Sequence, residues 1–599
     1  MVPQEPRYVA IAKRKQAELA AAIPDEWRLP ADKIPAGMLS PAESISEGPK
    51  QYKPVRVIDI PRRCGLLTDK ELIITENYDV RGLVSAMTTA KYTAEEVVRA
   101  FSKRAAIAHQ LTRCLTEPLF DRALKRAKEL DDHLRRTGKP VGPLHGLPIS
   151  VKDTFWIKGV DSSIGLAAYA FQPAPENAPL VDLLHGLGAV IIAKTNVPQT
   201  LGCLDSANHL FGRTLNPLNR KLTAGGSSGG EGALLAMRGS MVGIGTDIGG
   251  SIRIPAMCQG IYGFKPSHGH VPYGGQQEGQ IPGKGRAGIQ AVAGPLARSV
   301  ADLGAVLAEI VPRADLFGED CIPGYWPAPS VGGSLSPPRN YTVGVLKTNG
   351  NVTPLPPITR VLDEVAQILR HTPGVKVVEI TPPPEFAQCH ILASKLMAVD
   401  GTNKMLDAIE EFGEPLIPWL TSWYRRHEPM PIGKVAALQA ERSKIEKAML
   451  KMWTSGSSHE RCIDAIICPQ AGHPVPELDK YGLVDYTSCF VLLDYPSGNV
   501  PVRAFAESDL QPGEEFKDPV LSKYDAKNRL LWMKSQSTER VYLDSPLSVQ
   551  VVTPKQRDYE LFRAMEIIDR AVQGQKLASP PIIIMQNSSS GLWLQACIL

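Results

Sequence analysis

Several features that mark common protein classes are missing from this sequence of 599 residues. Its ten cysteines include no Cys-X-X-Cys pair and no spacing typical of a metal site, so we expect reduced thiols and no bound metal. No segment approaches the ~18 apolar residues that a membrane span requires. The net charge is only +4, and Lys and Arg are scattered along the chain, so a nucleic-acid partner is not indicated.

A secretory signal is also not visible, because residues 8–23 alternate charges with alanines instead of forming an apolar core. These residues predict an amphipathic surface helix within an arm, residues 1–80, that packs on the main body. Apolar residues make up 43% of the chain and charged residues 21%, which is the composition of an ordinary soluble globule. We therefore expect one domain over 81–575, an unassigned tail over 576–599 and a location in the cytoplasm.

Helical and strand-like segments alternate through the predicted domain. Thr93 and Glu96 form a capping box ahead of a helical pattern that spans 91–134. A second helix is predicted over 121–136, with its end near Gly138.

Residues 180–187 are helical in pattern, and the β-branched residues 189–193 that follow predict a strand. Residues 465–469 and 547–552 predict late central strands. The alternation of helices and strands is typical of βαβ units, so the sequence predicts an α/β fold with a mixed or parallel sheet.

The densest chemical signal is residues 224–255, AGGSSGGEGALLAMRGSMVGIGTDIGGSIRIP. Glycine lets backbone N–H groups approach a ligand closely, and successive inward N–H groups form an anion-binding nest. Two serine sites lie in this setting, at Ser227–Ser228 and at Ser251. The second site predicts either a hydroxyl beside an oxyanion hole or a bare tight turn. The backbone N–H groups that would form the oxyanion hole belong to Ile248, Gly249, Gly250 and Ser251.

Three other glycine-rich motifs fit this stretch less well. Residues 225–229, GGSSG, satisfy the pattern of a nucleophile elbow, but a polar segment precedes them instead of a buried strand, and no histidine stands out as a partner. No Gly-Lys-Ser/Thr follows the glycines as a phosphate loop requires, and the spacing of Gly243, Gly245 and Gly249 does not match the dinucleotide pattern. These interpretations are therefore disfavoured.

One lysine is a candidate partner for the serines. Lys152 ends the apolar segment 147–152 and precedes Asp153. Its side chain either turns inward or extends to water as a strand-end lysine, and the segment alone favours the second alternative. Asp247 and Arg253, which flank Ser251, are expected to brace its loop.

Together these motifs resemble the amidase signature family. The blocks of 225–255 and the block GLPISVKD of 146–153 stand in the order and separation of that family's Ser–Ser–Lys triad. VGPLHGLPIS (141–150) and NVPQTL (196–201) resemble phrases of fungal acetamidases and general amidases. The resemblance is strongest over 140–310. It implies the amidase signature fold, a large mixed, mostly parallel central β-sheet covered by helices on both faces.

The resemblance also implies roles for three residues. Ser251 would be the nucleophile, Ser227 a bridging serine held by a cis peptide bond, and Lys152 a neutral base, which replaces the water-exposed interpretation of this lysine. Lys152 would take the proton of Ser227 while Ser227 takes that of Ser251, and Ser251 would attack an amide carbonyl to form an acyl-serine. The implied activity is that of an acetamidase-like amidase that needs no metal and no cofactor.

Substrate and partners are less sharply indicated. The segment that falls where the family lines the acyl side of its pocket is Leu201, Gly202, Cys203 and Leu204. Gly202 has two interpretations. It either leaves room for an acyl group bulkier than acetate or is an ordinary loop glycine, and the second interpretation is favoured. The expected partner is a small-molecule amide, and a homodimer is compatible with the sequence. Three other functions stay open: an amidotransferase A-type subunit that uses glutamine amide nitrogen, an enzyme like fatty acid amide hydrolase, and a binding protein with a relic site.

Overall fold

A computed structural model describes residues 5–327, 341–454, 461–510, 516, 518–533 and 539–578. All but the first three residues of the predicted tail, 576–599, lie outside this range. The described strands, in chain order, are β1 Leu115–Pro118, β2 Pro148–Lys152, β3 Val190–Thr195, β4 Ala207–Asn208, β5 Gly212–Arg213, β6 Val242–Asp247, β7 Tyr262–Lys265, β8 Val292–Ala297, β9 Tyr341–Val345, β10 Val375–Glu379, β11 Ala465–Pro469, β12 Ser497–Ala504 and β13 Pro546–Val552.

Eleven of these strands form one sheet in the order β1-β3-β2-β6-β8-β7-β12-β13-β11-β9-β10, and β4 pairs with β5 separately. Six of the ten neighbouring pairs in the large sheet are antiparallel and four are parallel. The mixed sheet is therefore confirmed, whereas the expected majority of parallel pairs is wrong. Parallel pairing is limited to β3-β2-β6 and β11-β9-β10, because the strands between these groups, β8, β7, β12 and β13, alternate in direction.

Helices surround the sheet. The described α-helices are α1 Arg7–Ala21, α2 Pro41–Ser46, α3 Gly48–Gln51, α4 Ile60–Arg63, α5 Asp69–Glu76, α6 Val80–Thr88, α7 Ala94–Thr112, α8 Phe120–Thr137, α9 Pro179–Gly186, α10 Gly229–Ala236, α11 Arg253–Gln259, α12 Lys284–Ala287, α13 Val300–Ile310, α14 Pro356–Arg370, α15 Cys389–Met397, α16 Asn403–Glu411, α17 Pro418–Thr421, α18 Ile432–Thr454, α19 Asp485–Leu492, α20 Lys523–Met533 and α21 Asp558–Ala578. None of these described helices is long and apolar enough to cross a membrane.

The central strands are buried on both faces. Every residue of β2, β3, β6, β8, β11 and β13 is buried, which requires cover above and below the sheet. The predicted α/β class with helices on both faces is therefore confirmed. This burial also means that a polar side chain on β2 or β6 lies in the interior and needs a partner there.

The first predicted helices are largely confirmed. The capping box of α7 is present, since the Thr93 hydroxyl accepts the Glu96 N–H at 3.1 Å and the Glu96 carboxylate accepts the Thr93 N–H at 3.1 Å. The second helix, predicted over 121–136 with its end near Gly138, is confirmed as α8, and the break between the two helices lies within the pattern of 91–134. Arg113 takes a left-handed conformation that ends α7, and β1 then pairs with β3 before α8 begins.

The amphipathic helix expected near the N-terminus is α1. Lys15 on its buried face forms ion pairs with Glu117 at 2.6 Å and with Asp161 at 2.7 Å. Gln16 donates from Nε2 to the Leu210 carbonyl at 2.7 Å. These contacts fasten α1 to the body, while the boundary between an arm and a domain near residue 80 stays a prediction.

Candidate active site

A lysine and a serine meet in the interior where β2 ends. Lys152 is the last residue of β2, its side chain turns inward, and only 1% of its surface is exposed. Its Nζ lies 2.6 Å from Ser227 Oγ and 2.7 Å from Thr246 Oγ1 on the neighbouring strand β6. The strand-end alternative for this lysine is thus wrong, because β3 and β6 flank β2 and leave its end enclosed.

Burial controls the charge of this amine. Desolvation lowers the pKa of Lys152 to about 7, although the carboxyl groups of Asp247 and Glu231 act to raise it. A substantial fraction of the lysine is therefore neutral at neutral pH. A neutral amine carries a lone pair that can accept the proton of an adjacent hydroxyl.

The turn that presents Ser227 is built from tightly packed glycines. The Gly226–Ser227 peptide bond is cis, as the family resemblance implies. A Cβ on Gly225, whose φ is +81°, would lie 2.7 Å from Pro255 Cα, and a Cβ on Gly226 would lie 2.6 Å from the Cys203 carbonyl oxygen. Only glycine fits at these two positions, because the backbone is clamped between α11 and residues 203–205.

The Ser251 loop is hydrogen-bonded to this turn and is held by the Asp247–Arg253 ion pair. The Ser228 N–H donates to the Ser251 carbonyl at 3.2 Å. Asp247 Oδ1 accepts the Gly250 N–H at 2.7 Å, and Arg253 donates to both oxygens of Asp247 at 3.0 and 3.1 Å. Burial acts to raise the pKa of Asp247, but Arg253 outweighs it and holds that pKa below its usual value. The expected bracing role of this ion pair is confirmed.

The predicted oxyanion donors are not equivalent. The Gly250 N–H is already bonded to Asp247, whereas the N–H groups of Ile248, Gly249 and Ser251 have no acceptor within the described part of the chain. Ser251 itself is 7% exposed. Three free N–H groups beside a nearly buried hydroxyl suit the binding of a developing oxyanion. The role of residues 248–251 stays a prediction.

The segment predicted to line the acyl pocket adjoins the Ser227 turn. The carbonyl of Cys203 packs against Gly226, and Leu201 follows a left-handed Thr200 and is itself left-handed. A Cβ on Gly202 would lie 3.4 Å from the Trp423 ring, which is van der Waals contact. Leu204 continues the segment and accepts from the Thr223 hydroxyl at 3.4 Å. The segment thus lies between the serine turn and the aromatic residue that follows α17.

Two further site residues escape sequence reasoning. Thr246 touches the lysine, and Glu231 lies close enough to alter its pKa. Both stand inside the motif blocks, Thr246 directly before Asp247 and Glu231 in GGSSGGEG, so their position in the motif was the available signal. Within the described residues, no three His, Cys, Asp or Glu side chains are grouped as a metal ion would need.

Comparison with known proteins agrees with this geometry. A sequence profile of the family described as Amidase matches residues 96–562. The acetamidase of Emericella nidulans is 34% identical over 549 residues, which span 90% of this chain and 94% of the relative. Fatty acid amide hydrolase superposes with a TM-score of 0.80 at 27% identity over 95% of both chains. A bacterial aryl acylamidase of the amidase signature family, at 20% identity, shares the fold with a TM-score of 0.65 over 82% of this chain and 96% of its own.

The family profile covers most of the chain, and the acetamidase matches it nearly from end to end. Two residues of this chain's glycine-rich motif blocks, Ser227 and Thr246, contact Lys152. The chain therefore belongs to the amidase signature family, whose activity is amide hydrolysis.

Proposed function

We propose that this amidase cleaves a carboxylic amide to a carboxylate and ammonia or an amine through an acyl-enzyme on Ser251. The observation that carries the proposal is the buried amine of Lys152, 2.6 Å from the hydroxyl of Ser227. A serine hydroxyl is a weak nucleophile until a neighbouring base removes its proton, and a neutral lysine is such a base. The Ser227 hydroxyl then relays the proton of Ser251.

The reaction runs in two halves. In the first, Lys152 takes a proton from Ser227, Ser227 takes one from Ser251, and the Ser251 oxygen attacks the amide carbonyl. The oxyanion that forms accepts from the free N–H groups of residues 248–251. The C–N bond breaks as the same relay returns the proton to the leaving nitrogen. In the second half, Lys152 is again the base as water attacks the acyl-serine, the ester bond to Ser251 Oγ breaks, and the relay returns a proton to Ser251 as the carboxylate leaves. No cofactor takes part.

The proposed substrate is a small amide with a short acyl group. This proposal rests on the similarity to an acetamidase over nearly the whole chain. A longer acyl chain is the second candidate, since the similarity to fatty acid amide hydrolase covers 95% of the chain. Ammonia release from acetamide, benzamide, glutamine and oleamide distinguishes these classes, and preference for oleamide would overturn the short-chain proposal.

The nucleophile is tested by covalent labelling. A fluorophosphonate probe is applied to the wild type, Ser251→Ala and Ser227→Ala, and the adduct is counted by intact mass. We expect one adduct on the wild type, none on Ser251→Ala and slow labelling of Ser227→Ala. Ser240→Ala is the matched control, because Ser240 is a buried serine whose hydroxyl donates to the Val242 carbonyl, and this variant should label normally. Labelling of Ser251→Ala but not of Ser227→Ala would reverse the assignment.

A further inference from the structure

A buried carboxyl group that the reaction scheme does not use lies beside the catalytic lysine. Glu231 is in the first turn of α10, the helix that begins directly after Ser227 and Ser228, and its surface is fully buried. Ser150 Oγ lies 2.5 Å from Glu231 Oε2, and Thr195 Oγ1 lies 2.8 Å from Oε1, and each hydroxyl can either donate to the carboxyl group or accept its proton. Both carboxyl oxygens are therefore tied to the sheet.

Both hydroxyl partners are neighbours of the lysine in the sheet. Ser150 precedes Lys152 by two residues on β2, and side chains at this spacing point to the same face of a strand. Thr195 on β3 is the register partner of Lys152. One carboxyl thus links the helix that follows Ser227 to the strand that carries the base and to the adjacent strand.

The third neighbouring strand leaves space for this carboxyl. Gly243 on β6 is the register partner of Ser150. A Cβ built on Gly243 would overlap Glu231 Oε2, so any larger residue would displace the carboxyl. The sheet therefore has a position shaped for Glu231, formed by a serine, a threonine and a glycine on three adjacent strands.

We propose that Glu231 is a positioning residue, a neutral carboxylic acid that holds the Ser227 turn at hydrogen-bonding distance from Lys152 without placing a negative charge beside the lysine. The inference rests on the proposed function of Ser227 and Lys152. The contact between these two residues joins the end of β2 to the turn before α10. Glu231 fixes that turn relative to β2, because it belongs to α10 and its carboxyl group bonds Ser150 of β2. A displacement of about 1 Å at such a contact costs roughly 10²-fold in rate.

The electrostatic surroundings favour the neutral acid. Burial raises the pKa of Glu231 to about 8, against the lowering effect of its hydroxyl partners and of Lys152. If ionised, Glu231 would raise the pKa of Lys152 and reduce its neutral fraction. The other titratable groups near the pair are the Cys114 thiol, whose pKa burial raises to about 12, and Asp247, which is paired with Arg253 of α11.

The test compares Glu231→Gln with Glu231→Leu by the rate of fluorophosphonate labelling from about pH 6 to about pH 9.5, a range that spans both titrations. Glutamine has the shape and hydrogen-bonding capacity of the neutral acid but cannot ionise. We expect Glu231→Gln to label within about threefold of the wild type with an unchanged pH midpoint, because neither the neutral acid nor the amide places a charge beside Lys152. A midpoint at lower pH in Glu231→Gln would show that Glu231 is ionised in the wild type and would overturn the neutral-acid proposal. Glu231→Leu should label roughly 10²-fold more slowly.

A second pair of variants serves if Glu231→Leu does not fold. The double variant Ser150→Ala/Thr195→Val removes both hydroxyl partners and leaves the carboxyl, so labelling should again slow. The pH midpoint should stay unchanged, because losing these partners raises the pKa of Glu231 further and keeps the acid neutral. Asp302→Leu is the control for burial alone. Asp302 is a buried carboxyl on α13 that bonds Ser299 and the Val80 N–H away from the site, so its loss should lower stability without altering the labelling rate at a temperature where the protein is folded.

The outcomes separate the two proposals. If the wild type does not label, the proposed function fails. If the wild type labels and Glu231→Gln is as slow as Glu231→Leu, the carboxylate charge is needed and the neutral-acid proposal is overturned. If all Glu231 variants label like the wild type with an unchanged midpoint, Glu231 does not position the relay.

Discussion

The neutral state of one lysine governs the chemistry at the scale of single residues. Burial removes water from the Lys152 ammonium, and its partners are two hydroxyls, which cannot replace a carboxylate as counter-charge. Lys194 is a useful contrast, because it is equally buried but bonds Ser162 and a carbonyl and lies 3.9 Å from Asp153. Burial lowers the pKa of both lysines, so the feature that distinguishes Lys152 is its contact with Ser227.

The first prediction concerns pH. Lys152 has a pKa of about 7, so the neutral fraction of the lysine decreases as the pH is lowered below that value. We expect kcat/KM to decrease about tenfold for each further pH unit. Lys152→Met should lower kcat/KM about 10²–10⁴-fold and remove this acidic limb. The measurement is kcat/KM for the best amide of the panel across pH. An acidic limb that persists in Lys152→Met would assign it to another group.

The second prediction concerns the hydroxyl that holds the lysine. Thr246→Val keeps the shape of the side chain but leaves one hydrogen-bonding position of the Lys152 amine unfilled. We expect about a tenfold loss of kcat, equivalent to about 1.4 kcal/mol, with little change in KM. The apparent pKa of Lys152 should decrease, since its ammonium form loses a hydrogen-bond acceptor. Thr246→Ser restores the hydroxyl and should recover most of the rate, so equal losses in both variants would contradict a hydrogen-bonding role.

The sequence predicts the central contact of this site but not the contacts of Thr246 and Glu231. The motif blocks predicted that Lys152 and Ser227 meet, and the structure confirms the contact. The segment around Lys152 could not by itself show that the side chain turns inward, because that depends on strands on both sides of β2. The contacts of Thr246 and Glu231 depend on register between β2, β3 and β6, which periodicity does not encode.

At the scale of elements, β6 and α11 act together to hold the loop between them. Asp247 ends β6 and Arg253 begins α11, and their ion pair is completely buried. Arg253 also donates to Gln550 of β13 at 2.6 Å and to the Thr487 carbonyl of α19 at 3.1 Å. The nucleophile loop is therefore anchored to the distant half of the sheet.

The third prediction tests this anchor. Arg253→Met leaves Asp247 buried without its counter-charge, and breaking such a pair costs about 3–5 kcal/mol in the free energy of unfolding. The measurement is chemical denaturation at neutral pH. Arg99→Met is the control, since the Arg99–Glu95 pair on α7 is largely exposed and contributes little. Similar losses in both variants would show that the Asp247 pair is not an anchor.

Element types were easier to predict than their directions. The strand at 465–469 and the last strand, near 547–552, are both seen, because β-branched runs bounded by polar residues are clear signals. Their antiparallel pairing is set by where the chain returns to the sheet. Likewise, 91–134 is helical by composition, but β3 provides an edge on which residues 115–118 become a strand.

At the scale of the whole molecule, charges connect the N-terminal helix to strands β1 and β3 of the large sheet. Lys15 of α1 pairs with Glu117 of β1 and with Asp161, and Lys194 of β3 donates to the Asp161 carbonyl. Burial acts to lower the pKa of Lys15, but the two carboxylates outweigh it and raise that pKa. The lysine therefore stays charged, and α1 is held by charge as well as by its apolar face.

The fourth prediction is that this helix detaches first when the link is removed. Lys15→Met keeps the apolar stem but leaves Glu117 and Asp161 without their partner, so α1 should open at a lower free energy than the sheet. Hydrogen exchange followed by mass spectrometry should show faster exchange in α1, with β2 and β6 unchanged. Lys13→Met is matched on the same helix, because its pair with Glu5 is exposed, and it should exchange like the wild type. Faster exchange throughout the sheet of Lys15→Met would instead make α1 part of the cooperative core, and the predicted boundary near residue 80 would lose its physical meaning.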